Sequence, residues 1–537
     1  MKTGIWLMQV RNWAIAAICV AAAQPAAAET RIVALSEQDE RAYAAAFSAI
    51  ESRDWRAVSV ALREVEDDTL VGVVRGRMLL SRSYSPSWSE MSAWLNDYAD
   101  YGLAEDVYDR AMASRSSRAR RAGTQAPQPE RPRGRVLPGT PASPPGDSSA
   151  ARVGITRIAE YIGEGDYDRA RASALQLADG ARSGPANWYL GLIAYRQRDY
   201  AEAVRRFELS AAWGYNGGWA SAASHYWAAR ARLAAGETEG VTLHLEAAAQ
   251  RPWTFYGQLA EIQLGRDSSL QFEPPRLEQD SLVRFMERHP GARRAAALAQ
   301  LGRLSEVESE MRRLHGDLDR SEDATFLALA VALRAPAAQL RAAEYGGPEV
   351  ASGFCPATDF APDNGFQLDR ALIYAIVRQE SYFNPKAVST SNARGLMQML
   401  ASTAGDMDRS TNYRRNPTPL YEPGLNMRLG QSYVQWLMQE FHSDGDLGRV
   451  FAAYNGGPGW LSRWLATQPA DLDPLLMLEI MPRQESRDYA ERALSHMALC
   501  RKIYGQPTPE MDSLASGRAA NYRPLDNNFA NRSAPSS

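Results

Sequence analysis

Two short stretches, GDYDRA (Gly165 to Ala170) and RDYAEA (Arg198 to Ala203), set Asp166 and Asp199 33 residues apart. That interval suits a helix-turn-helix repeat of the tetratricopeptide kind, a unit that buries its apolar face only by stacking on neighbours. RDWRAV (Arg53 to Val58) is a relative of the same stretch, and Ala186 to Glu208 fits the repeat best, with Trp188, Gly191, Ala194, Tyr195 and Ala203 in the expected places. The aromatic after each Asp is expected to plug the gap between paired helices, and the small residues to let them approach. Alternating β-branched runs are rare, so the expected fold class is all-α.

Punctuation along the chain predicts its organisation. Lys2 and Arg11 precede a short apolar run, Trp13 to Ala23, and an A-x-A site at Ala26 to Ala28, which reads as a signal peptide over 1–28. An N-terminal helical region is expected over 29–113. A Pro/Arg-rich disordered linker follows over 114–150, because few large apolar groups are present to offset its ordering entropy. A helical-repeat superhelical domain is expected over 151–345, a compact domain over 355–504 and a disordered Pro-, Asn- and Ser-rich tail over 505–537. No other stretch has the length and apolarity of a stable membrane span. Removal of Cys19 with the signal leaves Cys355 and Cys500 flanking the compact domain, either as a disulfide or as two buried thiols.

Within that domain Leu368, Leu372, Ile373, Ile376 and Val377 recur at helical spacing, and Glu380 follows one turn after Ile376. Asn384-Pro385 then stops the helix. Burial and the negative end of a helix both raise a carboxyl pKa, and a carboxyl held protonated near neutrality can serve as general acid and then base. A glutamate at a helix end is more often a solvated surface group. Its neighbours, ARGLMQML (Ala393 to Leu400), FAAYNGGPGWLSRWL (Phe451 to Leu465) and LEIMPRQESRDYAERAL (Leu478 to Leu494), favour the chemical reading.

Glu380-Ser381-Tyr382-Phe383, Gly395-Leu396-Met397-Gln398 and Ala453-Tyr454-Asn455-Gly456-Gly457-Pro458 resemble, in order, the ES-x-F, GLMQ and AYN-x-G motifs of soluble lytic transglycosylases. Glu479, Pro482, Glu485, Arg487 and Tyr489 resemble the family's fourth motif. The resemblance covers about Asp363 to Tyr504 and implies a lysozyme-like, mostly helical catalytic domain behind the repeats. It also implies a periplasmic enzyme acting on peptidoglycan glycan strands. Glu380 would protonate the oxygen of the β-1,4 bond between N-acetylmuramic acid and N-acetylglucosamine, then accept the proton of the muramoyl 6-hydroxyl as that oxygen closes on C1. One carboxylate then suffices where ordinary glycosidases need two. Asp369 and Asp488 are the other candidates, and no motif selects them.

Supporting roles carry over residue by residue. Ser389 matches a serine that helps hold the acid or the acetamido group. Met397 and Gln398 match the cleft floor, and Tyr454 a tyrosine bonding near the acid, with Asn455 beside it. Glu479 and Tyr489 match groove-lining residues. Asn392 departs from the family's usual glycine, Gly456 from alanine and Ala401 from proline. Glycines after Asn455 would make a turn and let a sugar approach the backbone.

A formal net charge of -3 lacks the basic excess of a nucleic-acid binder. Six histidines show no paired-ligand spacing, so no metal and no cofactor is expected. The repeats would lengthen the glycan groove or hold cell-envelope protein partners.

Overall fold

The computed structural model describes residues 32–117, 120, 123–135, 144–276, 278–410, 412–439 and 445–526. The expected signal peptide, with Cys19, lies outside them. Among the described residues the secondary structure is helical, joined by turns and three isolated bridges, and no helix is long and apolar enough to cross a membrane. The chain divides into two compact units, residues 1–135 with 273–358, and residues 136–272 with 359–537. The continuous array expected over 151–345 is therefore divided at Phe272.

The 33-residue repeat has a local physical cause. Gly165 and Arg198 adopt left-handed φ values of 79° and 64°, and Arg53 one of 64°. The next residue then donates its N–H back to the helix just ended: Asp166 to Tyr161 at 2.8 Å, Asp199 to Ala194 at 2.9 Å and Asp54 to Ala49 at 2.9 Å. Each Asp side chain caps the following helix, accepting from Arg169, Glu202 and Ala57 respectively. One dipeptide thus ends one helix and begins the next. The aromatic after Asp packs as expected, with the Tyr200 ring 5.3 Å from Tyr195.

Gly191 lets the two helices of this pair approach closely. A Cβ there would stand 2.7 Å from the Phe207 ring. Phe207 is fully buried and touches Trp188 edge-on at 5.4 Å. Gly191→Ala is expected to cost about 1–3 kcal/mol, the usual penalty for overpacking a filled core. Urea unfolding would show the loss, and an unchanged midpoint would mean that the ring moves aside freely.

The first unit carries a core around Tyr43, Leu70, Trp94, Phe285 and Phe326. Residues 123–135 of the proline-rich segment belong to it and are not a disordered linker. Ala126 is buried in the core, Glu130 N–H bonds Ala99 O at 2.9 Å, and Gly134 N–H bonds Gly316 O at 3.1 Å. Arg135 donates to Leu318 O at 2.7 Å and pairs with the buried Asp323. Composition misleads here because main-chain bonds and one arginine, rather than large apolar side chains, supply the order. Cys355, at the end of this unit, is disulfide-bonded.

In the second unit the repeat helices from Ser149 onward pack on the compact domain. Trp464 Nε1 donates to Gly163 O at 3.1 Å, and Gln258 Nε2 donates to Ser495 Oγ at 2.7 Å. Cys500, on the helix Gln484–Ile503, is disulfide-bonded. The expected disordered tail is ordered through Asp526. A helix spans Pro509–Ala515, Leu447 N–H bonds Ala520 O at 3.0 Å, and Tyr522 N–H bonds Gly445 O at 2.8 Å. The anchor is Arg501, fully buried, which bonds Asp369 at 2.9 Å, Arg523 O at 2.7 Å and the Glu510 carboxylate. Asp369 also accepts from the N–H groups of Leu525 and Asp526. A polar composition is ordered here by charge-assisted bonds.

Candidate active site

Glu380 lies in the last turn of the helix Arg370–Ser381, whose residues from Ala371 to Arg378 are buried. The helix ends earlier than Asn384-Pro385 alone would require. Tyr382 and Phe383 are both left-handed, with φ of 53° and 61°, and Tyr382 N–H closes the helix on Arg378 O at 3.1 Å. Two successive non-glycine residues in this region store backbone strain directly after the acid. The buried Phe383 ring, 5.4 Å from Tyr374, helps hold them there.

Burial pushes the Glu380 carboxyl up to about 7. The bond from Tyr489 opposes the shift and the nearby charge of Glu485 adds to it. Tyr489 Oη donates to Glu380 Oε1 at 2.8 Å from the helix Gln484–Ile503. Tyr454 stands behind it, its ring stacked at 6.3 Å and 15°. Tyr489, expected in the groove wall, is thus the tyrosine that bonds Glu380. Tyr489 touches the acid, whereas Tyr454 Oη donates to Met397 O at 2.8 Å.

Removing the Tyr489 bond has a definite sign. A donor to the carboxylate stabilises the anion, so Tyr489→Phe raises the Glu380 pKa further. In a pH–rate profile the alkaline limb, where the acid loses its proton, is expected to move to higher pH. The maximal rate is expected to fall about 10- to 100-fold, the worth of one hydrogen bond to a charged group. An unmoved limb would mean that this bond does not set the proton affinity.

The GLMQ loop is a cradle built around Asn426. Gly395 is left-handed at φ 80°, and a Cβ there would meet Leu420 O at 2.3 Å and the Asn426 amide at 2.4 Å. Asn426, fully buried, accepts from Met397 N–H at 2.7 Å and donates to Arg394 O and Leu420 O at 2.8 Å each. Met397 is fully buried and Gln398 donates to Ala387 O at 3.1 Å and Gly395 O at 2.9 Å. Ser389 Oγ accepts from Ala393 N–H at 3.0 Å, which closes the same loop. Asn392 takes the left-handed turn that glycine would otherwise supply, at φ 62°.

Asn455 accepts from Ser486 Oγ at 2.8 Å, tying its helix to the one that carries Tyr489. Gly456 is still helical, and a Cβ there would meet Trp460 and Ser486 at 2.4 and 2.6 Å. Its missing side chain therefore serves packing rather than approach of a sugar. Glu479 does not line an open groove. It is 4% exposed, accepts from Tyr256 Oη on a repeat helix and lies 3.8 Å from Arg487 Nε. Burial raises its pKa, while Arg487 opposes the rise. Asp369 is occupied by Arg501, and Asp488 lies 3.3 Å from Arg487.

Sequence reasoning missed Asn426 and an aromatic line running outward from Tyr454. Tyr433 stands 5.4 Å from Tyr454, and Trp436 stacks on Tyr433 at 5.8 Å and 10°. Their i, i+3 spacing on the helix Pro423–Gln439 was the available signal. Among the described residues no cluster of His, Cys, Asp and Glu has the arrangement of a metal site.

The helical repeats and the compact domain together are similar to the 70 kDa soluble lytic transglycosylase of Escherichia coli. That similarity has a TM-score of 0.58 and 17% identity, and covers 88% of this chain and 98% of that one. It defines the fold class as all-α, a helical-repeat region with a lysozyme-like domain. Residues 360–475 match the transglycosylase SLT domain family. The soluble lytic murein transglycosylase of Salmonella typhimurium is 36% identical over 146 residues, 26% of this chain and 22% of that protein. The Escherichia coli K12 protein of the same name is 33% identical over 159 residues, 29% and 24% of the two chains. The matched stretch thus spans under a quarter of these curated relatives. Over that domain, the compact part of this chain is similar to the soluble lytic transglycosylases.

Proposed function

We propose that this protein is a peptidoglycan lytic transglycosylase, cleaving the bond between N-acetylmuramic acid and N-acetylglucosamine without water. The observation that carries this reading is the carboxyl of Glu380, pushed to about 7 and bonded to Tyr489. At neutral pH such a group is present in both protonation states, as acid followed by base requires. Its proton goes to the glycosidic oxygen as the bond to C1 breaks. The substrate's acetamido group assists the oxocarbenium-like centre. The carboxylate then takes the proton of the 6-hydroxyl, whose oxygen bonds C1 and closes a 1,6-anhydro ring. Engagement of Asp369 and Asp488 with arginines supports chemistry by one carboxylate. The stacked Tyr433 and Trp436 offer flat faces on which sugar rings rest. The site of action is the periplasm, and the repeat helices lengthen the glycan surface or receive envelope proteins.

Mass spectrometry of muropeptides released from sacculi tests the reading. Anhydromuramoyl ends are the expected product. Reducing ends would make the protein a muramidase hydrolase, and no release at all would leave a glycan-binding scaffold.

A further inference from the structure

The first unit holds a cavity of about 280 Å³ that the chemistry at Glu380 does not use. Four arginines line it, Arg135, Arg312, Arg313 and Arg341, against two glutamates, Glu105 and Glu130. Two of the arginines are engaged. Arg135 is held by Asp323 and by Leu318 O, and Arg313 by Asp317, with Glu130 at 3.6 Å. Even so, Arg313 Nε is buried and has no hydrogen-bond partner among the described residues.

Arg312 and Arg341 form no ion pair with any described carboxylate. The carboxyl whose charge they feel is Glu308, but its oxygens accept from the N–H groups of Ala337 and Ala338 at 2.8 and 2.9 Å. Burial also pushes Glu308 to about 7, so it is a weak counter-charge at neutral pH. Arg341 instead lies 5.6 Å from the Tyr345 ring centroid. His315, also on the wall, adds no charge, because burial and the neighbouring Arg135 and Arg341 push it down to about 3. Arg312 and Arg341 are therefore left without an ion-pair partner in a concave, tyrosine-walled space whose own carboxylates are Glu105 and, beside Arg313, Glu130. Guanidinium forks match planar or tetrahedral oxyanions.

We propose that this cavity binds a small oxyanion, a carboxylate or phosphate group, held by Arg312 and Arg341 and backed by Arg313. Its volume accommodates the charged end of a short peptide or a phosphorylated headgroup. The site lies wholly within the first unit and is independent of the reaction at Glu380.

Isothermal titration of the full protein with inorganic phosphate, and separately with a dipeptide bearing a free C-terminal carboxylate, tests the proposal. The C-terminally amidated dipeptide is the control. Saturable binding of at least one anion is expected, weakened tenfold or more in R312Q/R341Q. The paired lysine variant keeps the charge, loses the fork and should bind with intermediate strength. Binding of phosphate alone would point to a headgroup source, and of the carboxylate alone to a peptide source. No saturable binding, or equal binding by R312Q/R341Q with an unchanged unfolding temperature, would overturn the proposal. Muropeptide release by the same variants should stay unchanged, so failure here is separable from failure of the transglycosylase reading.

Discussion

Glu380→Gln is expected to lower the release of anhydromuropeptides by about 10²- to 10⁴-fold, the range for loss of a general acid. The upper end is expected, because one group carries the proton both ways and the amide replaces it in neither step. Glutamine is close in shape, so the Tyr489 hydroxyl, now 2.8 Å from Glu380 Oε1, can bond the amide oxygen and the fold should persist. Glycan binding should therefore survive where cleavage does not. In the unmutated protein, activity should fall as pH rises through about 7, where the acid gives up its proton. The same shift has a stability consequence of fixed sign. The folded-state pKa lies above the ordinary 4.5, so the neutral form favours folding, and that contribution is lost as pH rises from about 4.5 through about 7. Cleavage by the variant within tenfold of the original rate would remove Glu380 from the chemistry.

Arg501→Met is expected to destabilise the second unit by about 3–5 kcal/mol, as for other buried ion pairs deprived of one partner. Arg501 and Asp369 are fully buried, and Glu510 is nearly so. Without the guanidinium two carboxylates face each other in low dielectric. Asp369 sits at the start of the helix that ends in Glu380 and also receives Leu525 and Asp526, so the loss should loosen the acid's own helix. Urea unfolding followed by tryptophan fluorescence measures the loss. Its electrostatic origin has a signature. Burial already raises the Glu510 pKa and Arg501 opposes that rise, so without Arg501 the deficit should shrink as pH falls towards 4 and widen as it rises to 7. Further substitution of Asp369→Asn and Glu510→Gln should recover much of the loss at neutral pH. A pH-independent deficit would mean that Arg501 acts through packing alone.

Much of the candidate site was legible because its signals are local. Glu380 follows a helical apolar stripe, and the stripe alone implies partial burial and a raised pKa. The 33-residue interval was legible for the same reason: a left-handed residue and an Asp cap form a helix end and a helix start within one dipeptide. The bond from Tyr489 to Glu380 was not legible. Which hydroxyl reaches Glu380 depends on how the helices Leu447–Gly456 and Gln484–Ile503 cross, and sequence spacing carries no such information. Glu479 was misplaced for a similar reason, since its partner Tyr256 lies more than two hundred residues earlier.

The order of residues 123–135 and 505–526 shows the other limit. Low apolar content correctly excludes a hydrophobic core of their own, but it does not exclude docking by arginines and main-chain bonds onto a surface built elsewhere. The sequence by itself determined the helical class, the repeat, the place of Glu380 at the end of a buried helical stripe and the order of the motifs, because each rests on contacts within a few turns of helix. Only the tertiary structure decided which tyrosine holds the acid, which carboxylates are neutralised, and where the chain divides into units. Those depend on burial and charge shared between residues far apart in the chain, and that sharing exists only after the helices have packed.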